Sequence, residues 1–145
     1  MGANRSALEV RPAGRADAPA LLTLASELAT SFDVDPARFD RSLDEVLVHH
    51  DCLLLVAVDG ETTVGYLAAS VHPTLYANGP VAWIEELMVA EAARRRGAGR
   101  ALVAAAERWA TTNGAHVVAL ATRRATTFWA SVGYEESATY MRRML

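Results

Sequence analysis

The chain has 145 residues, of which 52% are hydrophobic and 21% charged. That size and balance suit one domain with one core, leave no room for a second, and exclude a disordered chain. The net charge of −3 is unevenly placed: residues 1–61 hold eleven acids and five arginines, and residues 62–145 hold six acids and nine arginines, so the basic second half suits an anionic ligand.

No apolar run approaches the roughly 20 residues of a membrane span, and no apolar signal-peptide core lies within residues 1–15. A cytoplasmic protein without membrane contact is expected. Residues 1–6, Met-Gly-Ala-Asn-Arg-Ser, fit the N-myristoylation pattern, but a single acyl chain binds membranes only marginally and no second membrane signal follows. All fourteen basic residues are arginine, whose planar guanidinium pairs bidentately with phosphate. Cys52 is the only cysteine, which excludes an intrachain disulfide. It opens an apolar run, as a core thiol does.

In chain order, residues 8–11 read as a first strand. Asp17 is placed to cap a helix over 17–30, with Leu21, Leu22, Leu24, Ala25 and Leu28 at helical spacing. The run Asp33-Val34-Asp35-Pro36 ends it, and Pro36 suits the first turn of a second helix to about residue 49. Residues 52–58 read as a strand, Asp59-Gly60 as a hairpin turn, and 63–71 as the next strand. Two prolines and Asn78-Gly79 make 72–80 a loop. A strand over 81–89 precedes a helix over 98–112 with the apolar stripe Leu102, Val103, Ala106 and Trp109, closed by Asn113-Gly114. A strand over 117–121, a helix over 123–131 and closing strands at 134–136 and 140–144 complete the series. The order predicts a mixed α/β fold: a largely antiparallel sheet flanked by helices, with a parallel β-α-β crossover around the long helix.

The chemistry concentrates where that long helix begins. A helix N-terminus presents unpaired N–H groups and about half a positive charge, and a pyrophosphate placed there meets several donors at once. Gly97, Ala98 and Gly99 let the backbone come close, and Arg94, Arg95, Arg96 and Arg100 surround the spot. A dinucleotide fingerprint is excluded because Leu102 stands where its third glycine belongs. A P-loop is excluded because the chain has no lysine. A solvated arginine cluster beside a turn is the alternative that the loop alone leaves open.

The context of the loop narrows this. The strand Trp83-Ile84-Glu85-Glu86-Leu87-Met88-Val89, followed by Arg94-x-x-Gly97-x-Gly99-x-Ala101-Leu102, resembles the signature of the GNAT superfamily of N-acetyltransferases. The segment Phe128-Trp129-Ala130-Ser131-Val132-Gly133-Tyr134 is similar to that family's Phe-Tyr-x-x-x-Gly-Phe. With the opening strand and helix, the resemblance covers nearly the whole chain.

The resemblance implies a GNAT fold with a splayed strand pair. It also implies direct transfer from acetyl-CoA to an amine, with no covalent enzyme intermediate and no metal, and it raises a homodimer. Coenzyme A contacts are implied for the backbone of Leu87, Met88 and Val89, for the loop and helix start Arg94, Arg95, Arg96, Gly97, Ala98, Gly99, Arg100 and Ala101, and for Thr122 and Trp129. A strand N–H such as that of Met88 is suited to steady an oxyanion.

An amine attacks only when unprotonated, so a base is needed at neutral pH. Glu85 and Glu86 are the candidates. Adjacent strand residues face opposite ways, so one of them reaches the substrate unless a bulge intervenes, and Glu85 is favoured. The plainer reading leaves both glutamates solvated or paired with arginines. Trp129 departs from the pattern, because many members carry a tyrosine acid there and indole N–H is a donor only. Tyr134 and Tyr140 are its candidate substitutes. Thr122 is a second departure, where asparagine is common. His72 and Tyr76 are weighed as acceptor-pocket residues, and Asp33 and Asp35 as acceptor wall or helix caps. The four histidines, His49, His50, His72 and His116, show no metal spacing. The competing function is a catalytically silent acyl-CoA sensor on the same fold. A nucleic-acid binder would need an extended basic face with interleaved aromatics.

Overall fold

The computed structural model describes residues 7–145, so the myristoylation pattern at residues 1–6 lies outside the described residues. Five strands form one sheet in the order β1-β2-β3-β4-β5: β1 Leu8–Pro12, β2 Cys52–Asp59, β3 Thr62–His72, β4 Val81–Val89 and β5 Val117–Leu120. The first three pairings are antiparallel and β4 pairs with β5 in parallel. Four helices flank the sheet: α1 Ala18–Leu28, α2 Pro36–Val48, α3 Ala98–Thr112 and α4 Thr126–Ser131. The mixed architecture with its crossover through α3 is the one the sequence predicts. No helix among the described residues is long and apolar enough to cross a membrane.

Strand alternation sorts the core into two faces. Leu55 and Ala57 of β2 pack with Leu102, Val103 and Ala106 of α3 on one side, whereas Val56 and Val58 pack with Leu21 and Leu24 of α1 and Leu43 of α2 on the other. Because both faces are covered, β2 reads as a continuous apolar run. Leu102 and Val103 are fully buried, and each contributes about 1.5–3 kcal/mol through burial.

Three expectations are corrected. Asp17 sits just before α1, but its side chain makes no cap to that helix. It takes a bidentate bond from Arg11 at 2.9 Å and 2.9 Å and a third bond from the Gly14 N–H at 2.8 Å. The nearer cation outcompetes the helix N–H groups, and a 3-10 turn Arg15–Asp17 starts the segment instead. The last helix begins at Thr126 rather than 123, because the Thr122 hydroxyl accepts from the Ala125 N–H at 3.2 Å and shapes a turn.

The closing strands at 134–136 and 140–144 do not form among the described residues. Residues 140–144 read Tyr-Met-Arg-Arg-Met, which lacks the period-2 alternation a half-buried strand needs, and Tyr140, Met141 and Met144 are exposed. Tyr134 turns back instead, its N–H donating to the Trp129 carbonyl at 3.0 Å.

The Asp17 network carries a pH signature. The Arg11 hydrogen bond, with the Gly14 N–H assisting, holds the Asp17 carboxyl below its ordinary value. A lowered folded-state pKa contributes stability above the unfolded pKa, and that stability is lost as pH falls through the folded one. Asp17→Asn is expected to melt a few degrees below the parent at neutral pH, and the two melting curves are expected to converge as pH drops below the ordinary carboxylate range. Thermal melts across pH check this.

Candidate active site

Two residues of the loop before α3 take left-handed backbone: Arg95 at φ 63° and Gly97 at φ 91°. Gly97 is the N-cap of α3, and a Cβ there would meet nothing within 4 Å. The glycine therefore answers a backbone demand and leaves open space at the helix start. Gly99 serves a different purpose: a Cβ there would lie 3.2 Å from the Phe128 ring, so its absence lets α4 pack on α3. The N–H groups of Ala98, Gly99 and Arg100 have no backbone acceptor among the described residues, as expected of a helix's first turn.

The four arginines are not equivalent. Arg94 donates to the Val89 carbonyl at 3.1 Å, Arg96 pairs with Asp59 at 3.6 Å, and Arg100 reaches the Ser131 carbonyl at 3.5 Å. Arg95 makes no hydrogen bond or ion pair among the described residues and is exposed. Ala101 continues the helix and is half-buried.

β4 pairs with β5 only from Val81–Val117 to Ile84–Leu120. Beyond that point the strands part, and residues 85–89, including Leu87, Met88 and Val89, keep β3 on one edge and have no strand on the other among the described residues. The register against β3 slips at the same place, since Ala68 faces Glu86 and Ala69 faces Ile84, leaving Glu85 as the extra residue of a bulge. The side chains confirm it. Ile84, Leu87 and Val89 pack in the α3-side cluster while Met88 packs in the α1–α2 cluster, a pattern that strict alternation forbids. Both glutamates are exposed and neither pairs with an arginine among the described residues. Glu86 accepts from the Tyr66 hydroxyl at 3.0 Å. Glu85 lines the cavity at the strand fork, and its carboxyl is raised above the ordinary value, first by partial burial and then by Glu86, with His72 pulling the other way.

That cavity has a volume of about 240 Å³. Trp83, Ile84 and Glu85 form its β4 wall, Ala121, Thr122 and Arg123 its wall beyond β5, and Tyr140 and Arg142 close it from the C-terminal segment. Arg142 also donates to the Ser31 hydroxyl at 3.3 Å, tying that segment to the α1–α2 connection. The sequence reading did not select Trp83, Arg123 or Arg142 as wall residues. Nothing in their spacing signals it, because the wall is assembled from segments far apart in the chain.

Trp129 is 7% exposed and joins the core cluster, with its ring edge-on to Phe128 and to Tyr134 at 5.1 Å each. The Tyr134 hydroxyl is buried with no partner, and burial, followed by the field of Glu107, pushes it up to about 12. Of the tyrosines weighed as substitutes, Tyr140 is the one on the cavity. His72 borders a separate hollow, and Tyr76 is exposed. Asp35 caps α2 by accepting from the Arg38 N–H at 2.8 Å.

Cys52 is half-buried rather than a full core residue, and burial, then Asp51 and Glu85, push its thiol above the ordinary value. His49, His50 and Asp51 offer ligand atoms within 4.8 Å of one another at an exposed turn, a grouping that the sequence spacing had not suggested, and none of the three lines the fork cavity.

A model of the acetyltransferase (GNAT) family matches residues 19–134. Among solved structures, the chain is similar to a transcriptional regulator from Bacillus halodurans C-125, with TM-score 0.86 and 24% identity over 96% of this chain and 100% of that one. It is similar to an aminoglycoside N-acetyltransferase in complex with CoA, with TM-score 0.86 and 20% identity over 100% and 99% of the chains. It is also similar to a putative acetyltransferase from Agrobacterium tumefaciens str. C58, with TM-score 0.84 and 26% identity over 94% and 99%. No curated protein sequence matches the chain.

Proposed function

The chain belongs to the GNAT family of acetyltransferases, and from that premise we propose that it transfers the acetyl group of acetyl-CoA to a primary amine, with Glu85 as the base. The observation that carries this reading is the β4 bulge, which turns Glu85 out of the strand alternation and into the cavity at the β4–β5 fork. The residues present fit the cosubstrate. The open start of α3 at Gly97, the unpaired N–H groups of Ala98 to Arg100 and the free guanidinium of Arg95 suit a pyrophosphate. The unpartnered edge of Leu87, Met88 and Val89 suits the amide-bearing pantetheine arm, since an open strand edge offers rows of donors and acceptors.

Acetyl-CoA, when bound, supplies the thioester: the N–C bond to the acceptor forms as the C–S bond breaks. Glu85 accepts the proton that the attacking nitrogen sheds, either directly or through a water, and its raised pKa makes it a better proton acceptor than an ordinary carboxylate. Glu86 is not placed for that role, because it does not line the cavity and its Oε1 accepts from the Tyr66 hydroxyl. Tyr140 is the phenol at the cavity and the group proposed to return a proton to the departing sulfur. Trp129 and Tyr134 are enclosed in the core. A thiolate with a reference pKa near 8.5 needs only modest help to leave.

The first test is binding. Coenzyme A at about 100 times its dissociation constant is expected to stabilise the fold by about 2.7 kcal/mol. Gly97→Val is expected to lose most of that increment and about 1–2 kcal/mol of intrinsic stability, because a branched side chain is forced into left-handed backbone and into the space kept open for the anion. The second test is turnover: thiol release from acetyl-CoA that depends on an added amine. No shift with coenzyme A sinks the proposal. A shift with no turnover on any amine favours the silent sensor.

A further inference from the structure

The walls of the fork cavity carry opposite charges at separate places. Glu85 stands on the β4 wall, Arg123 on the wall beyond β5, and Arg142 on the C-terminal segment. Neither arginine forms an ion pair among the described residues, although three of the four arginines of the α3 loop are engaged by groups of the protein. Arg142 is held in place by its bond to the Ser31 hydroxyl. Guanidiniums that line a small cavity without a carboxylate partner among the described residues are suited to carboxylate or phosphate, which they grip bidentately. With one acid and two arginines, the lining repels a polycation. The indole of Trp83 adds an apolar wall, and the volume of about 240 Å³ suits a small molecule rather than a folded partner.

We infer that the acceptor is a small zwitterionic amine, one whose amino group meets Glu85 and whose oxyanion, a carboxylate or a phosphate, is held by Arg123 and Arg142. The inference rests on the acetyltransferase reading and names its substrate class. The two arginines touch the far end of the acceptor, so they set specificity and orientation and take no part in the proton transfer. They hold the acceptor against a cavity whose other occupant is neutral at that end, which is why the acceptor rather than the cosubstrate should feel their loss.

Amine-dependent thiol release is measured on matched pairs that differ only in the oxyanion: ethanolamine with O-phosphoethanolamine, and phenylalaninamide with phenylalanine. Spermidine serves as the polycation. The oxyanion-bearing member of at least one pair is expected to show the higher kcat/KM, and the pair that does so distinguishes phosphate from carboxylate. In Arg142→Gln and, separately, Arg123→Gln, that preference is expected to shrink about tenfold, through KM of the acceptor and not through KM of acetyl-CoA. A rise confined to KM of acetyl-CoA would assign the arginines to the cosubstrate and overturn the inference. So would equal or better turnover of the amines that lack the oxyanion or of spermidine, and so would the absence of turnover on every amine while coenzyme A still raises the melting temperature. Absence of that thermal shift is the separate result that removes the acetyltransferase reading itself.

Discussion

Glu85→Gln is expected to lower kcat for amine acetylation by about 10²- to 10⁴-fold, the range that a positioned general base supplies. Glutamine keeps the shape of the side chain and the packing of the bulge, but it cannot take the proton. The parent's rate is expected to rise with pH as Glu85 ionises, with a midpoint above the ordinary carboxylate value because partial burial and the neighbouring Glu86 both disfavour the charge. The variant is expected to lack that limb. Stability moves the other way. A carboxyl whose folded pKa is raised contributes stability below its unfolded pKa and loses it as pH rises through the folded one, so the neutral glutamine is expected to leave the melting temperature at pH 7 equal or slightly higher. Loss of rate without loss of fold separates catalysis from structure. A variant that retains the parent's kcat and pH profile would transfer the role to Glu86 or to solvent.

Trp129→Ala is expected to cost about 3–5 kcal/mol of folding stability. The indole is 93% buried between Phe128 and Tyr134 and against the α3 face of the sheet, so its removal leaves a cavity among core side chains. Because a domain of this size has only about 5–15 kcal/mol in total, the variant is expected to populate unfolded chain at 37 °C and to show a midpoint of urea unfolding well below the parent's. Trp129→Phe, which keeps an aromatic ring, is expected to lose less than half as much. A Trp129→Ala protein as stable as the parent would show that the ring is a ligand-facing group after all and not a core residue.

The five-strand core, the crossover helix and the glycine loop were legible in the chain because each is written in local terms. Strand β4 and helix α3 announce themselves by period and by punctuation, and the order of Leu87-Met88-Val89, Arg94 and Gly97-Ala98-Gly99 carries the family resemblance before any contact is known. The closing strands failed for the complementary reason. Residues 134–136 and 140–144 each open on a tyrosine but lack the alternation that burial rewards, and their fate depends on whether a neighbouring edge receives them.

The chain favoured Glu85 over Glu86 but left a bulge open, and their separate placing is set by a slip of register against β3 that brings Ala68 opposite Glu86 and Ala69 opposite Ile84. The same dependence on the fold holds for the two glycines, equal in the motif but unlike in space: Gly97 gives up its side chain for a left-handed turn beside open space, Gly99 for the ring of Phe128. It holds again for Arg123 and Arg142, which only the folded chain brings to the wall facing Glu85. Sequence by itself determined the four helices, the five strands of the sheet and the family resemblance, because those follow from short-range sterics and local patterning. Tertiary structure alone decided which carboxylate faces the cavity, which tyrosine reaches it and what charge surrounds the acceptor, because those depend on contacts between residues that the chain keeps far apart.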